Sequence, residues 1–163
     1  MVTEFPYSGV FVAERLTVAL WERSVNEEER ELEVRVDDQS RGVLKLCPWY
    51  MPRMSIGQGG LLVWAGRSLY ALDLAGGPFR HFELDDEIHA AYQLSSCWCV
   101  VCETSVLLWD SAIGEVLAEY LHNEVLLKAW WAAEQLFVED LQNRRFEVRI
   151  GTAAPQLSFN RIR

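Results

Sequence analysis

The feature that most restricts the fold is a short turn sequence that occurs three times at nearly equal spacing. Its copies are Asp38-Gln-Ser-Arg-Gly42, Asp73-Leu-Ala-Gly-Gly77 and Asp110-Ser-Ala-Ile-Gly114, so the aspartates at positions 38, 73 and 110 are 35 and 37 residues apart. An aspartate carboxylate can accept a hydrogen bond from the backbone N–H two residues later, and a glycine four residues later tolerates a positive φ. Each copy therefore predicts a tight turn between two strands, and the spacing indicates a repeated unit of supersecondary structure.

The second and third repeats also agree outside the turn. When the sequence is compared with itself at an offset of 37 residues, four identities and one conservative replacement align. They are Val63 with Val100, Ser68 with Ser105, Leu84 with Leu121, Glu87 with Glu124, and Ile88 with Val125. The match therefore extends the repeat beyond the turn itself.

The segments that flank these turns have the patterns of strands. Residues 31–36 alternate polar and apolar side chains, whereas residues 68–72 and 105–109 are short apolar runs typical of buried strands. Together with the remaining apolar runs they give four repeats, at about residues 9–47, 54–84, 88–121 and 125–162. The fourth repeat has no aspartate at the corresponding place, and the glycine and proline of residues 150–155 are expected to turn the chain instead.

Residues 115–134 allow a second interpretation. They are rich in Glu, Ala, Leu and Lys, which are good helix formers, and could form one amphipathic helix. A helical stripe through Leu117 and Leu121 would continue to Glu124 and Lys128, which interrupts the apolar face that a core helix needs. We therefore favour two strands on either side of residues 122–124 and predict an all-β fold of four antiparallel meanders. A β-sandwich, or an α+β fold with a helix at 115–134, is the alternative.

Successive meanders with apolar inner strands and an aspartate ending the third strand resemble the blades of β-propellers of the WD-repeat and PQQ-type kinds. Trp109-Asp110 stands where a WD repeat carries its name-giving pair, and residues 69–77 look like part of a PQQ-type blade. The resemblance is best over residues 59–121. His89 and His122 fall near the connection where WD repeats carry a Gly-His pair, but the pair itself does not occur, and the PQQ-type docking motif is incomplete. The resemblance implies the fold, four blade-like units as a small closed propeller or half of a dimeric one, and does not extend to a cofactor.

Composition limits the class of protein further. The 163 residues are 50% hydrophobic and 12% aromatic, which predicts one folded domain over residues 1–163. Asp and Glu number 24 against 15 Lys and Arg, and the formal charge of -9 argues against nucleic acid or a membrane surface as the partner. The sequence begins without a signal-peptide pattern and contains no apolar run long enough to cross a membrane, so we expect a cytoplasmic location.

Four cysteines, Cys47, Cys97, Cys99 and Cys102, are expected to be reduced. Three of them fall within six residues of an apolar run, which is unsuitable spacing for disulfides that join distant loops. On a strand, Cys97 and Cys99 point to one face and Cys102 to the other, so the three thiols cannot converge on one metal ion. We interpret them as small buried hydrophobic residues, and the sequence assigns them no redox or metal role.

The candidate binding site lies in the connections between repeats, which gather on one face of such a fold together with the turns between second and third strands. These connections contain two aromatic residues, a histidine and several acids. The candidate binding residues are Trp49, Tyr50, Asp85, Asp86, Glu87, His122 and Glu124. Trp and Tyr are enriched in binding hot spots, and the acids suit a basic partner. The simpler interpretation is that these are solvated turn residues.

No catalytic motif is present in the sequence, and the acids lack the ligand spacing of a known cation loop. We therefore expect a non-enzymatic interaction module that presents acidic and aromatic loops to a protein partner, with no metal and no cofactor. The alternative is a small-ligand-binding protein or hydrolase with its site in the central opening of the repeats, built from His89, His122 and the acidic loops.

The terminal repeats are expected to meet, because open apolar sheets are rarely left uncovered. Apolar residues occur in strands of both end repeats: Val10, Val12, Leu16 and Val18 at one end, and Phe146, Val148, Leu157 and Phe159 at the other. We predict contact either within one chain, as a closed ring, or between two chains, as a homodimer. The sequence identifies neither the partner nor the pathway.

Overall fold

The protein is built from strands joined by short turns. A computed structural model describes residues 2–4, 8–13, 16–57, 60–94, 97–112, 114–151 and 155–162. Within these ranges there are seventeen strands and no helix, which confirms the all-β prediction. In chain order the strands are β1 (Val2–Glu4), β2 (Ser8–Ala13), β3 (Leu16–Val25), β4 (Arg30–Val36), β5 (Gln39–Leu46), β6 (Arg53–Gly57), β7 (Gly60–Ala65), β8 (Ser68–Asp73), β9 (Arg80–Glu83), β10 (Ile88–Gln93), β11 (Cys97–Cys102), β12 (Ser105–Asp110), β13 (Val116–Leu121), β14 (Leu126–Ala132), β15 (Gln135–Asp140), β16 (Arg145–Ile150) and β17 (Leu157–Ile162).

The strands form four antiparallel sheets, and each sheet is a meander of four consecutive strands. Their orders are β2-β3-β4-β5, β6-β7-β8-β9, β10-β11-β12-β13 and β14-β15-β16-β17. The short β1 is added to the second sheet, where it pairs antiparallel with β6 and places Val2 opposite Ser55. This arrangement confirms the prediction of four blade-like units.

The chain divides into two compact units, Met1–Asp85 with the first and second sheets and Asp86–Arg163 with the third and fourth. We call them the N-terminal unit and the C-terminal unit and describe each by itself. The expectation of a single domain over residues 1–163 stays a prediction.

The N-terminal unit has a core shared by its two sheets. In β4 every second side chain is buried, as its alternating sequence predicts, whereas all six residues of β7 are buried. Leu20 and Leu44 of the first sheet and Leu61 and Val63 of the second belong to one cluster of buried side chains. The two sheets therefore exclude water from a common apolar layer, which is the main source of their stability.

The C-terminal unit buries its inner strands most completely. Every residue of β11 except Cys97 is buried, and in β12 only Asp110 is not. Trp98 and Trp109 face each other across these strands with ring centroids 6.3 Å apart. Both are therefore inner strands with buried side chains on both faces of the sheet, as their mainly apolar runs predict.

Two of the predicted aspartate turns have the expected geometry. Asp73 Oδ1 accepts a hydrogen bond from the N–H of Ala75 at 2.8 Å, and Asp110 Oδ1 accepts one from Ala112 at 2.7 Å. Gly77 and Gly114, four residues after each aspartate, have positive φ of 109° and 75°. The turn sequence therefore acts as its residue types suggest.

The first and fourth repeats turn differently. In the first, Asp37 and Asp38 themselves form the two-residue hairpin turn with φ of 49° and 62°, and the Asp37 carboxylate accepts a hydrogen bond from the N–H of Thr17 at 2.9 Å. In the fourth, Gly151 N–H donates to the carbonyl of Gln156 at 2.9 Å, and residues 152–154 of the predicted turn lie outside the described residues.

Residues 115–134 form two strands and no helix. They contain β13 and β14, separated at residues 122–125, as the interrupted apolar stripe predicts. The α+β alternative is therefore wrong for this segment. Long-range pairing of β13 with β12 and of β14 with β15 outweighs the local helix propensity of Glu, Ala and Leu.

The apolar residues proposed for the C-terminal end face inward. Phe159 of β17 stacks on Tyr120 of β13 with centroids 3.8 Å apart, and Phe146 and Val148 are buried. These side chains therefore pack between the third and fourth sheets and are no open surface, which corrects the expectation. At the other end Val18 is buried, and the side chains of Val10, Val12 and Leu16 lie outside the described residues.

No helix in the described ranges has the length and apolar character needed to cross a membrane.

Candidate functional site

The most exposed aromatic side chain of the described residues, that of Trp49, is on the loop that connects the first sheet to the second sheet in the N-terminal unit. Residues 47–52, which we call the aromatic loop, join β5 to β6. Trp49 is 78% exposed, and its neighbours Tyr50 and Met51 are 39% and 44% exposed. The sequence predicts Trp49 and Tyr50 as binding residues, and the structure places both at the surface.

Buried groups fix the position of this loop. Arg30, whose side chain is 4% exposed, donates from Nη1 to the carbonyl oxygen of Tyr50 at 2.7 Å. The Tyr50 ring lies directly over Gly66 in the turn between β7 and β8, so closely that a Cβ there would approach the ring to 2.8 Å. Trp49 is therefore displayed on a loop whose backbone is held from below.

An acidic hairpin tip adjoins the aromatic loop. Residues 26–29, the acidic tip, connect β3 to β4, and the Asn26 carboxamide oxygen accepts hydrogen bonds from the N–H groups of Glu28 and Glu29, both at 2.8 Å. Glu29 also pairs with Lys45, two residues before the loop, at 2.8 Å. Glu27 and Glu28 are exposed and form no ion pair within the described residues.

In the C-terminal unit, Asp86 holds the entry to the third sheet. Its Oδ2 accepts hydrogen bonds from the Thr104 N–H at 2.7 Å and hydroxyl at 2.8 Å, and its Oδ1 accepts one from the Glu87 N–H. Burial alone would raise the pKa of Asp86, but the hydrogen bonds from Thr104 and Glu87 outweigh it and lower the pKa below the usual range. This carboxylate therefore ties a connection to the turn between β11 and β12.

His122 has the same kind of place before the fourth sheet. Its side chain is 5% exposed, and its Nε2 lies 3.2 Å from Oδ2 of the fully buried Asp140. The ring also packs edge-on against Phe146, with centroids 4.9 Å apart. His122 is thus part of the packing between sheets and does not reach solvent as a binding group.

Asp140 is a buried acid with a strongly shifted pKa that was not among the residues predicted from the sequence. Its Oδ1 accepts from the N–H groups of Gln142 and Arg144, and its Oδ2 from Arg144 Nε at 2.7 Å. Burial would raise its pKa, but these hydrogen bonds and His122 lower the pKa to about 2. The available signal was an aspartate ending an apolar strand and followed by Asn143, which adopts the left-handed φ of 58° that asparagine tolerates.

The remaining predicted acids differ in availability. Asp85 is exposed, whereas Glu87 is half-buried and accepts a hydrogen bond from Glu103 N–H through its carbonyl at 2.8 Å. The Glu124 carboxylate accepts a hydrogen bond from the Gln142 side chain at 2.7 Å. In the C-terminal unit the structure therefore brings connections and second-to-third-strand turns together, as predicted for a blade-like meander.

The alternative, a ligand site or hydrolase in a central opening, needs His89, His122 and the acidic loops, and of these His122 is buried against Asp140. Two surface depressions in the C-terminal unit, of about 260 and 790 Å³, are lined by neither His89 nor His122. Among the described residues no three His, Cys, Asp or Glu side chains are grouped to hold a metal ion. The thiols are unpaired, and burial raises the pKa of Cys102 to about 12 and that of Cys99 still further.

Comparison with known proteins gives the fold. The chain resembles the WD40 domain of Toxoplasma gondii coronin, with a TM-score of 0.58 and 13% sequence identity over 96% of the present chain. It also resembles a crystal structure of HIRA, with a TM-score of 0.57 and 8% sequence identity over 96% of the present chain. BamB from Moraxella catarrhalis matches with a TM-score of 0.57 and 9% identity over 84% of the chain.

The fold is that of β-propeller blades. The predicted resemblance to WD-repeat and PQQ-type blades is thereby confirmed at the level of structure. The chain spans only about half of these solved chains, 49%, 56% and 42% respectively. No protein-family model and no curated protein sequence matches it.

Proposed function

We propose that this protein is a non-enzymatic interaction module that binds a basic segment of a protein partner through the aromatic loop and the acidic tip. The observation that carries the proposal is Trp49, which is 78% exposed on a loop held by buried Arg30. A side chain displayed on an already ordered loop loses little conformational entropy on binding. Tryptophan is also among the residues most enriched in hot spots.

The charge around Trp49 suits a cationic partner. Lysine or arginine side chains can lie over the indole face, and the exposed carboxylates of Glu27 and Glu28 can pair with the same or neighbouring cations. The net charge of -9 favours encounter with a basic protein over long range. Asp85 and Glu87 are acidic groups of the connection that precedes β10, whereas Asp86, His122 and Glu124 act by holding connections of the C-terminal unit in place.

The fold supports a display role. Propeller blades are rigid sheets that present loops, and the three solved relatives include a WD40 domain. Fold alone does not assign a function, so the proposal depends on the exposed loop and its charge.

The test is affinity capture from native lysate with the wild-type protein and two variants. Trp49→Ala removes the exposed indole, and Trp131→Ala is the control because Trp131 is 40% exposed in the other unit. We expect basic proteins to be retained by wild type and by Trp131→Ala, and to be reduced at least about tenfold by Trp49→Ala, as for a hot spot. Retention should also fall between low and high salt. Equal capture by Trp49→Ala, or capture indifferent to salt, contradicts the proposal.

A further inference from the structure

A depression in the C-terminal unit has a charge opposite to that of the protein as a whole. Its volume is about 790 Å³, and it is lined by Asn143, Arg144, Arg145, Arg161 and Ile162. Three of the six basic residues between positions 86 and 163 lie here, and none of the lining residues is acidic. In a chain with a formal charge of -9, this concentration of guanidinium groups is a local exception.

The arginines keep donors that their ion pairs do not use. Arg144 and Arg145 pair through Nε with Asp140 at 2.7 Å and Glu139 at 2.9 Å. Nη2 of Arg144 is buried and has no hydrogen-bond partner in the described part of the chain. A guanidinium has five N–H donors, and a buried one without an acceptor is unfavourable.

Arg161 adds a charge that is not neutralised by a neighbour. It lies on β17 opposite Phe146 and is exposed. Over residues 155–162 and the other described ranges, Arg161 forms no ion pair. The pairs of Arg144 and Arg145 account for two of the three positive charges, so the third remains for a ligand.

From these contacts, the geometry points to a binding site for an oxyanion of the phosphate type in this depression. The forked donors of arginine match the oxygens of phosphate, and a phosphate carries enough charge to engage more than one guanidinium. Asn143 also lines the depression, and its carboxamide can donate hydrogen bonds. The site lies wholly within the C-terminal unit and shares no residue with the aromatic loop.

The test is an NMR titration of the full chain with inorganic phosphate against sodium chloride of equal ionic strength. We expect saturable shifts of the amide signals of residues 143–145 and 161–162 with phosphate only. Arg161→Gln should weaken apparent binding about tenfold, the loss of one charge-assisted contact. Arg149→Gln is the matched control, because Arg149 is an exposed arginine of the same sheet that pairs with Glu147 and does not line the depression.

Each of the following outcomes would overturn the proposal: chloride produces the same shifts as phosphate, Arg161→Gln binds phosphate as tightly as wild type with an unchanged melting temperature, or Arg149→Gln weakens binding as much as Arg161→Gln does. A titration with acetate tests whether the site prefers phosphate over a carboxylate. Acetate binding as tightly as phosphate would also overturn a phosphate-type site. O-phosphoserine separates the sources: tighter binding than inorganic phosphate indicates a phosphorylated group, and weaker binding indicates the free ion.

Discussion

Asp140 shows how one buried carboxylate joins separate segments of a blade. It ends β15, accepts two backbone hydrogen bonds from the following turn, and contacts both Arg144 and the connection residue His122. Its side chain is inaccessible to solvent. A buried carboxylate is tolerated in the fold only when hydrogen-bond donors surround it, as Gln142, Arg144 and His122 do here. The stability of the fold should therefore be sensitive to a change at this side chain.

Replacing Asp140 with Asn should lower the free energy of unfolding by about 3 kcal/mol at pH 7, because the charged acceptor for Arg144 is lost inside the fold. Urea denaturation measures this change. Asp73→Asn is the control: Asp73 is exposed and only caps a turn, where asparagine can accept the same hydrogen bond, so a change below about 0.5 kcal/mol is expected.

The difference between wild type and Asp140→Asn should also depend on pH. The pKa of Asp140 is lowered to about 2, so its stabilisation is complete above the ordinary pKa of 3.8 and is lost as the pH falls through about 2. The urea midpoints of the two proteins should therefore differ less at pH 2.5 than at pH 5.5. A difference that is constant with pH would show that Asp140 does not act through its charge.

At the scale of elements, the exposure of Trp49 depends on the hairpin between β7 and β8 and on the aromatic loop that packs against it. Gly66 has a φ of +60° in this hairpin, and the Tyr50 ring occupies the space that a side chain would need. Glycine is thus required there both by the backbone conformation and by the close approach of the ring.

Gly66→Ala should destabilise the N-terminal unit by about 2 kcal/mol, the sum of left-handed strain and displacement of Tyr50. Gly77→Ala is a matched control, since Gly77 also has a positive φ, 109°, but no atom lies within 4 Å of the added Cβ. Thermal unfolding compares their stabilities. The NMR chemical shifts of the amides of residues 47–52 should change in Gly66→Ala only. Equal changes in both variants would contradict the contact between the hairpin and the aromatic loop.

At the scale of the molecule, the blade-to-blade packing in the C-terminal unit replaces the exposed end that the sequence suggested. Val148 is 3% exposed and Phe159 stacks on Tyr120, so both are already covered by the neighbouring sheet. The outward positions of β16 carry Arg145, Glu147 and Arg149 instead. Whether the terminal repeats close a ring or pair between two chains stays a prediction.

The double variant Val148→Asp, Phe159→Asp should lose several kcal/mol of stability, because it places two charges between the third and fourth sheets. Chemical denaturation gives the loss, and light scattering of the wild type gives the oligomeric state separately. Gln156→Asp, at an exposed position before β17, is the control with little expected effect. A double variant as stable as the parent would show that these sheets do not pack as described.

The sequence by itself determined the local pattern of this protein. Strand periodicity, the aspartate turns at 73 and 110 and the offset of 37 residues were enough to predict four meanders, and Ser68 and Ser105 each begin a third strand as the offset requires. These features depend on neighbouring residues, where hydrogen-bonding range and backbone φ are set by residue type. Exposure of Trp49 was likewise predictable, since a loop between two strands reaches the surface.

Only the tertiary structure decided which polar residues are buried and which are displayed. In the sequence, His122, Asp86 and Asp85 are all polar residues of connections between repeats. In the structure, Asp86 bonds to Thr104 and His122 contacts Asp140, whereas Asp85 is exposed. The contact of Glu29 with Lys45, that of Arg30 with Tyr50 and the arginine depression each join residues that are distant in the chain. Such contacts depend on which strands pair and which sheets stack, and no local pattern encodes that arrangement.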